Sequence, residues 1–277
     1  MKKNFLYNRL TTIILIVTLL LSAFFLFSCS NKDINLSPPT LDENNQTSQD
    51  KNEGFIEEIS PKNLAMYVKS KVDGLNIRND AKTSSQVIGQ INKNDMVVFI
   101  KQVGNYYQTY YKGKFAYISS SKTYTEVLEI EKLDNKTEEI INVASKYLGT
   151  KYVYGATRLH NGKGKFLSGF TTSEFDCSSF VQYAYFYGGQ INLGLTSREQ
   201  ALQGKNITGV VNIKRGDLMF FTNANRLNNS GIEKIGHVGI FLGDNYILHT
   251  AYDYAVIEPI SNVRWSYLIY IRRHVNV

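Results

Sequence analysis

A cysteine and two histidines in the second half of the chain are the residues best suited to covalent chemistry. Cys177 is one of two cysteines in the 277 residues, and His237 and His249 are two of four histidines. A thiol beside an imidazole can attack a carbonyl carbon, and a third polar group orients the imidazole. We therefore predict that Cys177 is a nucleophile, that His237 is its general base and acid, and that His249 holds the tautomer of His237. Each of these residues taken singly is more often structural, so the prediction depends on their combination.

A helix that begins at Cys177 is predicted from the residues around it. Asp176 is a good N-cap, and the apolar residues that follow recur at helical spacing up to two glycines at 188–189. The unpaired N–H groups at a helix N-terminus favour a thiolate over a thiol. We therefore expect the pKa of Cys177 to be lowered.

A β-hairpin is predicted to bring the two histidines together. Apolar residues alternate after His237, residues 243–245 are typical of a turn, and residues 246–249 return to His249. A three-residue loop puts position 239 opposite 249, so that the two histidines are diagonal neighbours on one face. A two-residue loop would put them on opposite faces.

Five ordered motifs from 149 to 240 resemble the NlpC-type peptidoglycan endopeptidases, papain-like enzymes of bacterial cell walls. They are GTKYVYG at 149–155, FDCSSFV at 175–181, SREQ at 197–200, RGDLMFF at 215–221 and GHVGI at 236–240. The resemblance implies an α+β fold, with helices packed on an antiparallel sheet. It implies cleavage of the bond from D-γ-glutamate to a diamino acid in peptidoglycan stem peptides. It also implies that Tyr152, Asp176 and Ser178 help bind the free amine of the stem.

The segment 158–174 is longer than the usual connector of that family. A loop of this length next to the nucleophile is expected to shape or cover the cleft.

Short β-rich runs separated by turn residues precede this region, from about residue 64 to 118, and predict a small all-β barrel. Three of them, LNIR at 75–78, SSQVIG at 84–89 and KGKFAYI at 112–118, resemble a bacterial SH3-like domain. The resemblance implies a module that holds the enzyme on peptidoglycan. A spacer that packs on the catalytic domain is an equally good interpretation, because fold alone does not give function.

The amino terminus has the pattern of an export signal, with Lys2, Lys3 and Arg9 before an apolar run at 11–27. Hydropathy alone leaves an uncleaved membrane anchor open. The tetrapeptide LFSC at 26–29 resembles the lipobox of bacterial lipoproteins, which implies cleavage before Cys29 and lipidation of its sulfur. The predicted location is therefore the cell membrane, lipid-anchored and facing the wall or periplasm, with the outer membrane possible in a diderm.

Composition limits the other classes of function. The formal net charge is +7, and acidic residues gather in 31–58, so the folded part is more basic still. A basic surface suits an anionic polymer, although a solvated lysine-rich surface is a sufficient explanation. We find no nucleic-acid motif and no Cys and His spacing of a metal site, so we expect neither nucleic acid, metal nor cofactor.

The predicted organisation has five segments: 1–28 signal peptide, 29–60 lipidated cysteine and flexible linker, 61–124 SH3-like domain, 125–136 linker, and 137–277 cysteine peptidase domain. The leading hypothesis is a lipid-anchored endopeptidase that acts on peptidoglycan stem peptides. Two alternatives stay open at this point. One is an amidase or acyltransferase on the same scaffold, since a Cys-His pair serves any acyl transfer. The other is a non-catalytic wall-binding lipoprotein.

Overall fold

The computed structural model of the chain describes residues 63–276. The predicted signal peptide, the lipidation of Cys29 and the linker at 29–60 lie outside the described residues. Between residues 63 and 276, no helix is both long enough and apolar enough to cross a membrane.

The first part of the described chain consists of eight strands. They are β1 (Leu64–Ser70), β2 (Leu75–Arg78), β3 (Val87–Ile91), β4 (Met96–Val98), β5 (Lys101–Val103), β6 (Tyr106–Tyr111), β7 (Lys114–Ser119) and β8 (Thr125–Glu131).

The second part combines four α-helices with eight strands. The helices are α1 (Asn135–Ser145), α2 (Cys177–Gly189), α3 (Ser197–Gln200) and α4 (Asn262–Ser266). The strands are β9 (Lys151–Tyr152), β10 (Glu174–Phe175), β11 (Lys205–Asn206), β12 (Leu218–Phe221), β13 (His237–Gly243), β14 (Tyr246–Ala251), β15 (Tyr254–Pro259) and β16 (Leu268–Arg273). Short 3₁₀ turns lie at Val210–Asn212, Ala224–Arg226 and Gly231–Lys234. The predicted α+β class, with an all-β region before it, is confirmed.

The strands of the first part divide between two sheets. Five of them make one sheet in the order β3-β2-β7-β6-β5. The remaining three strands, β4, β1 and β8, lie in a second sheet, where β8 pairs with β1 along all seven residues. Residues 125–131 are therefore a strand, and the prediction that they belong to a linker is wrong. The backbone N–H and C=O groups of this strand are satisfied by pairing with β1, which is distant in the sequence. The local sequence alone does not reveal that partner.

The two parts share a sheet and a core. The second sheet runs β11-β16-β12-β13-β14-β15-β4-β1-β8, and Ile257 of β15 pairs with Met96 of β4 at the junction. Arg215, which is buried, binds both carboxylate oxygens of Glu138 and donates to the hydroxyl of Tyr67 on β1. Pairing a buried guanidinium in this way avoids the large cost of an unpaired charge. The first part is thus packed firmly against the second.

Helices α1 and α2 pack closely on one side of the sheet. Asp134 caps α1 by accepting from the N–H of Thr137, so the helix begins two residues before residue 137, the predicted start of the peptidase domain. At Gly188, a Cβ atom would lie 2.4 Å from the Cα of Ile140, which only a glycine avoids. This close approach fixes α2, and with it Cys177, against the sheet.

Candidate active site

The nucleophile candidate Cys177 lies at the first position of α2, as predicted. The side chain of Asp176 accepts from the N–H of Ser179, and the hydroxyl of Ser179 accepts from the N–H of Asp176. This capping box fixes where the helix begins. Cys177 is 9% exposed and shares a buried hydrophobic cluster with Val238 of β13. Because Val238 follows His237 directly, the sulfur lies against the strand that carries the base.

Burial and, to a smaller extent, the negative charge of Asp176 raise the pKa of the Cys177 thiol to about 12. The N–H groups of Val238 and Ser178, and the Arg158 guanidinium, lower it by less. The expectation of a lowered pKa is therefore wrong for the free protein. At neutral pH the group is a thiol, because the enclosed site favours the uncharged form more strongly than the helix terminus favours the thiolate.

The hairpin between the histidines has a two-residue turn rather than the predicted three-residue loop. Asp244 and Asn245 occupy the turn with φ of 46° and 65°, the pattern of a type I′ turn, and Gly243 pairs with Tyr246. A β-bulge between Phe241 and Gly243 inserts one extra residue into β13. The bulge compensates for the shorter turn.

Beyond the bulge the predicted register is confirmed. Ile240 pairs with Leu248, which places position 239 opposite His249 and makes His237 its diagonal neighbour on the same face. Their rings meet edge to face, with Nε2 of His237 2.7 Å from Nδ1 of His249.

The hydrogen-bond chain continues to an acid that the sequence analysis did not identify. Nε2 of His249 lies 3.0 Å from Oε1 of Glu258, and Arg264 donates to the same oxygen at 2.9 Å. Since a carboxylate only accepts, Nε2 of His249 carries its proton and Nδ1 is bare. Nε2 of His237 must then donate to His249. The free acceptor nitrogen of His237 is therefore Nδ1.

Both histidines are neutral in the free protein. Burial lowers the pKa of His237 well below its usual value, and His249 and Arg264 lower it further. Burial also lowers the pKa of His249, against the opposing effect of Glu258. Burial raises the pKa of Glu258, but its contacts with His249 and Arg264 outweigh that effect and leave its pKa lowered. A neutral imidazole with a bare Nδ1 is ready to accept a proton.

Glu258 could have been found by extending the hairpin argument by one strand. Val256 pairs with His249, so Glu258, two residues further, is its diagonal neighbour on the same face. In the structure, the turn between β14 and β15 follows Ala251, and Tyr252 in this turn takes a positive φ of 51°.

The three residues predicted to bind substrate lie around a cavity of about 120 Å³ beside Cys177. Asp176 and Ser178 are both buried and hydrogen-bonded to each other at 3.0 Å. Tyr152 lines this cavity and also a neighbouring one of about 730 Å³ that His237 and Arg264 border. A substrate that spans both cavities would pass the sulfur and then the imidazole.

Arg158, at the start of the long connector, was also missed. Its guanidinium lies 2.7 Å from Asp176 and donates to the hydroxyl of Ser178 at 2.9 Å. The contact joins residues about twenty positions apart through a loop, and no local pattern in the sequence predicts it. Of the connector at 158–174, Arg158 alone lines the cavity at Cys177, so a role of its other residues in the cleft stays a prediction.

The other two histidines take no part in the site. His160 is buried, and its Nδ1 accepts from the N–H of Gly162. His274 packs edge to face on Tyr185. Within the described range, no group of three or more potential ligand residues is arranged to hold a metal ion.

Comparison with known families agrees with this geometry. Residues 149–273 match the NlpC/P60 family, and residues 73–123 match the bacterial SH3 domain. The chain carries an NlpC/P60 domain. The bacterial SH3 match leaves out β1 and β8, which flank it, and the NlpC/P60 match begins after α1.

The relatives of this part of the chain include a peptidoglycan endopeptidase and a glutamyl hydrolase. The chain is 31% identical over 149 residues to the peptidoglycan DL-endopeptidase CwlO of Bacillus licheniformis, and 29% identical over 140 residues to the γ-DL-glutamyl hydrolase of Bacillus subtilis. These alignments cover 53% and 50% of this chain but 29% of either relative. A crystal structure of an NlpC/P60 family protein from Bacillus cereus aligns with 77% of this chain and 65% of its own, at 17% identity and a TM-score of 0.41.

Proposed function

We propose that the chain is a cysteine endopeptidase that cleaves the D-γ-glutamyl bond to a diamino acid in peptidoglycan stem peptides. The observation that carries the proposal is the hydrogen-bond chain that leaves Nδ1 of His237 bare, on a strand whose next residue, Val238, shares a buried cluster with Cys177. The names of the two curated relatives support the substrate class.

The first half of the reaction forms an acyl-enzyme. The Cys177 proton moves to Nδ1 of His237 as the sulfur attacks the γ-carbonyl carbon, and the carbonyl π bond becomes an oxyanion. Because the thiol and the imidazole are both neutral at rest, proton transfer accompanies the attack. The N-terminus of α2, where the N–H of Cys177 has no acceptor within the helix, favours the oxyanion.

The second half releases both products. His237, now protonated, gives its proton to the leaving amine as the C–N bond breaks, and the acyl group remains on Cys177 as a thioester. A water molecule then attacks the thioester, with His237 again as base. The charge on His237 is stabilised by His249, the third member of the site, whose Nε2–H in turn donates to the carboxylate of Glu258.

The anchoring of the protein is part of the same proposal and is supported by sequence alone. Cleavage before Cys29 and lipidation of its sulfur would hold the protein at the membrane, and residues 30–60 would allow the domains to reach the wall. Mass analysis of the native amino-terminal peptide tests this, since an intact Met1 or an unmodified Cys29 would exclude it.

The experiment that tests the activity is mass analysis of muropeptides after incubation with the reduced full-length protein. We expect new products with a free amine on the diamino acid, and none with Cys177→Ala. Release of free lactyl-muramic acid would instead indicate an amidase, and transfer of an acyl group a transferase. Unaltered peptidoglycan together with tight sedimentation on sacculi would indicate a non-catalytic binding protein.

A further inference from the structure

The carboxylate nearest to the nucleophile has no acceptor position left for a substrate. Oδ1 of Asp176 accepts from the N–H of Ser179 at 2.8 Å and from the hydroxyl of Ser178 at 3.0 Å. Oδ2 accepts from the N–H of Gly155 at 3.2 Å and from Arg158 at 2.7 Å. A carboxylate offers about four lone-pair positions, and protein donors fill them all.

Arg158 is held in this position by further bonds. Its Nε donates to the carbonyl of Leu195 at 2.7 Å, and one terminal nitrogen donates to the carbonyl of Ala156 at 2.5 Å. The other terminal nitrogen bridges Asp176 and Ser178. The side chain is 17% exposed. Displacing it would break bonds to a charged partner and to two backbone carbonyls in a partly desolvated place, so we treat it as a fixed part of the site.

The cavity around Cys177 is cationic. Three arginines, Arg158, Arg198 and Arg226, border it against two carboxylates: Asp176 in its lining, and Glu233, which lies 3.5 Å from both Arg198 and Arg226. A substrate ammonium here would meet a guanidinium where the sequence resemblance implied a free carboxylate. An amide in its place carries no charge and presents a carbonyl oxygen that accepts hydrogen bonds, which suits an arginine-lined wall.

We propose that Arg158 is a specificity-determining residue that selects stems whose amino end is acylated, as it is while the stem is attached to the glycan, over stems with a free amino end. This proposal rests on the proposed function. It gives Asp176 and Ser178 the task of holding Arg158 rather than that of binding an amine.

Two synthetic peptides test the proposal with the full-length protein. Both consist of L-alanine, γ-linked D-glutamate and a diamino acid, and they differ only in a free or an N-acetylated amino end. At pH 7 we expect kcat/KM to be at least tenfold higher for the acetylated peptide. Equal values, or a preference for the free amine, would overturn the proposal.

The pH dependence gives a second readout that needs no variant. A free α-amino group loses its charge at about pH 8. The kcat/KM of the free-amine peptide should therefore approach that of the acetylated peptide between pH 7 and 9. If the ratio of the two values stays constant over this range, the ammonium charge is not what the site rejects.

The variant Arg158→Ala frees one lone pair of Asp176. It should shift the ratio of the two kcat/KM values toward the free-amine peptide by at least tenfold, whatever its effect on the overall rate. Arg226→Ala is the matched control, since it removes a cation from the same cavity whose side chain binds Glu233 and not Asp176. An equal shift with Arg226→Ala would refute the role assigned to Arg158. Should the wild-type protein cleave neither peptide, the proposed function itself fails, whereas cleavage with a preference for the free amine defeats this proposal only.

Discussion

Glu258 provides the sharpest prediction about the catalytic group. Oε1 of Glu258 accepts from both His249 and Arg264. The variant Glu258→Gln can therefore keep both hydrogen bonds through its amide oxygen while it loses the negative charge. Glu258→Ala loses the bonds as well and leaves the buried Nε2–H of His249 without its acceptor. Comparison of the two variants separates charge from orientation.

The magnitudes follow from the kind of bond that is lost. A hydrogen bond to a charged group contributes about 1.5–3 kcal/mol and a neutral one about 0.5–1.5 kcal/mol, so Glu258→Gln should lose about 1 kcal/mol, or five- to tenfold in kcat/KM. Glu258→Ala also frees His249 to take the wrong tautomer. We expect a loss of at least about 100-fold, since a wrong tautomer in a comparable triad costs more than this.

The assay is kcat/KM on the acetylated peptide as a function of pH. Glu258 raises the pKa of His249, so Glu258→Gln should move the acidic limb of the profile to lower pH. Glu126→Gln, which removes the same charge from the exposed pair with Lys69, is the control. If Glu258→Ala unfolds at the same denaturant concentration as the wild type and retains its kcat/KM, the account of the hydrogen-bond chain is refuted.

Three further predictions concern the thiol, acid stability and domain packing. With a thiol pKa of about 12, the rate of Cys177 alkylation by iodoacetamide should rise about tenfold per pH unit up to pH 9, and a plateau near neutral pH would show a thiolate instead. Burial, with a smaller effect of Arg272, lowers the pKa of His274 to about 4. The unfolded chain therefore binds a proton on His274 more tightly than the folded chain does. The free energy of unfolding should fall as the pH drops below about 6.5, by up to about 3 kcal/mol for this group. Urea unfolding at pH 7 and pH 4.5 should show a smaller pH effect in His274→Gln, and an unchanged effect would contradict the assignment. A Cβ on Gly149, which has a φ of +76°, would lie 2.0 Å from the Tyr111 ring, so Gly149→Ala should cost at least about 2 kcal/mol. Part of that cost should disappear in the Tyr111→Ala background, and strict additivity would mean that the two residues do not pack together.

Local patterns in the sequence predicted the elements that carry the reacting groups. The start of α2 at Cys177 follows from Asp176 and the helical spacing after it, and both signals lie within a few residues of the helix. The register of β13 and β14 was predicted correctly for a different reason than expected, since a two-residue turn and a bulge together have the same effect as a three-residue loop. Hydrophobic alternation fixes which face is buried, and the chain has more than one way to satisfy it.

The features that were missed depend on contacts between distant residues. Strand β8 is defined by its pairing with β1, about sixty residues earlier. Arg158 reaches Asp176 from a loop, and loops follow no period that a sequence reveals. The thiol pKa was predicted in the wrong direction because the helix N-terminus is visible in the sequence, whereas the burial that outweighs it is a property of the packed structure.

The most direct test of the central claim is the covalent intermediate on Cys177. Rapid acid quenching during turnover of the acetylated peptide, followed by digestion and mass spectrometry, should find the acetyl-alanyl-γ-glutamyl group as a thioester on the peptide that contains Cys177. The adduct should be absent from Cys177→Ala. Steady formation of product with no adduct on Cys177, or with an adduct on another residue, would contradict the account.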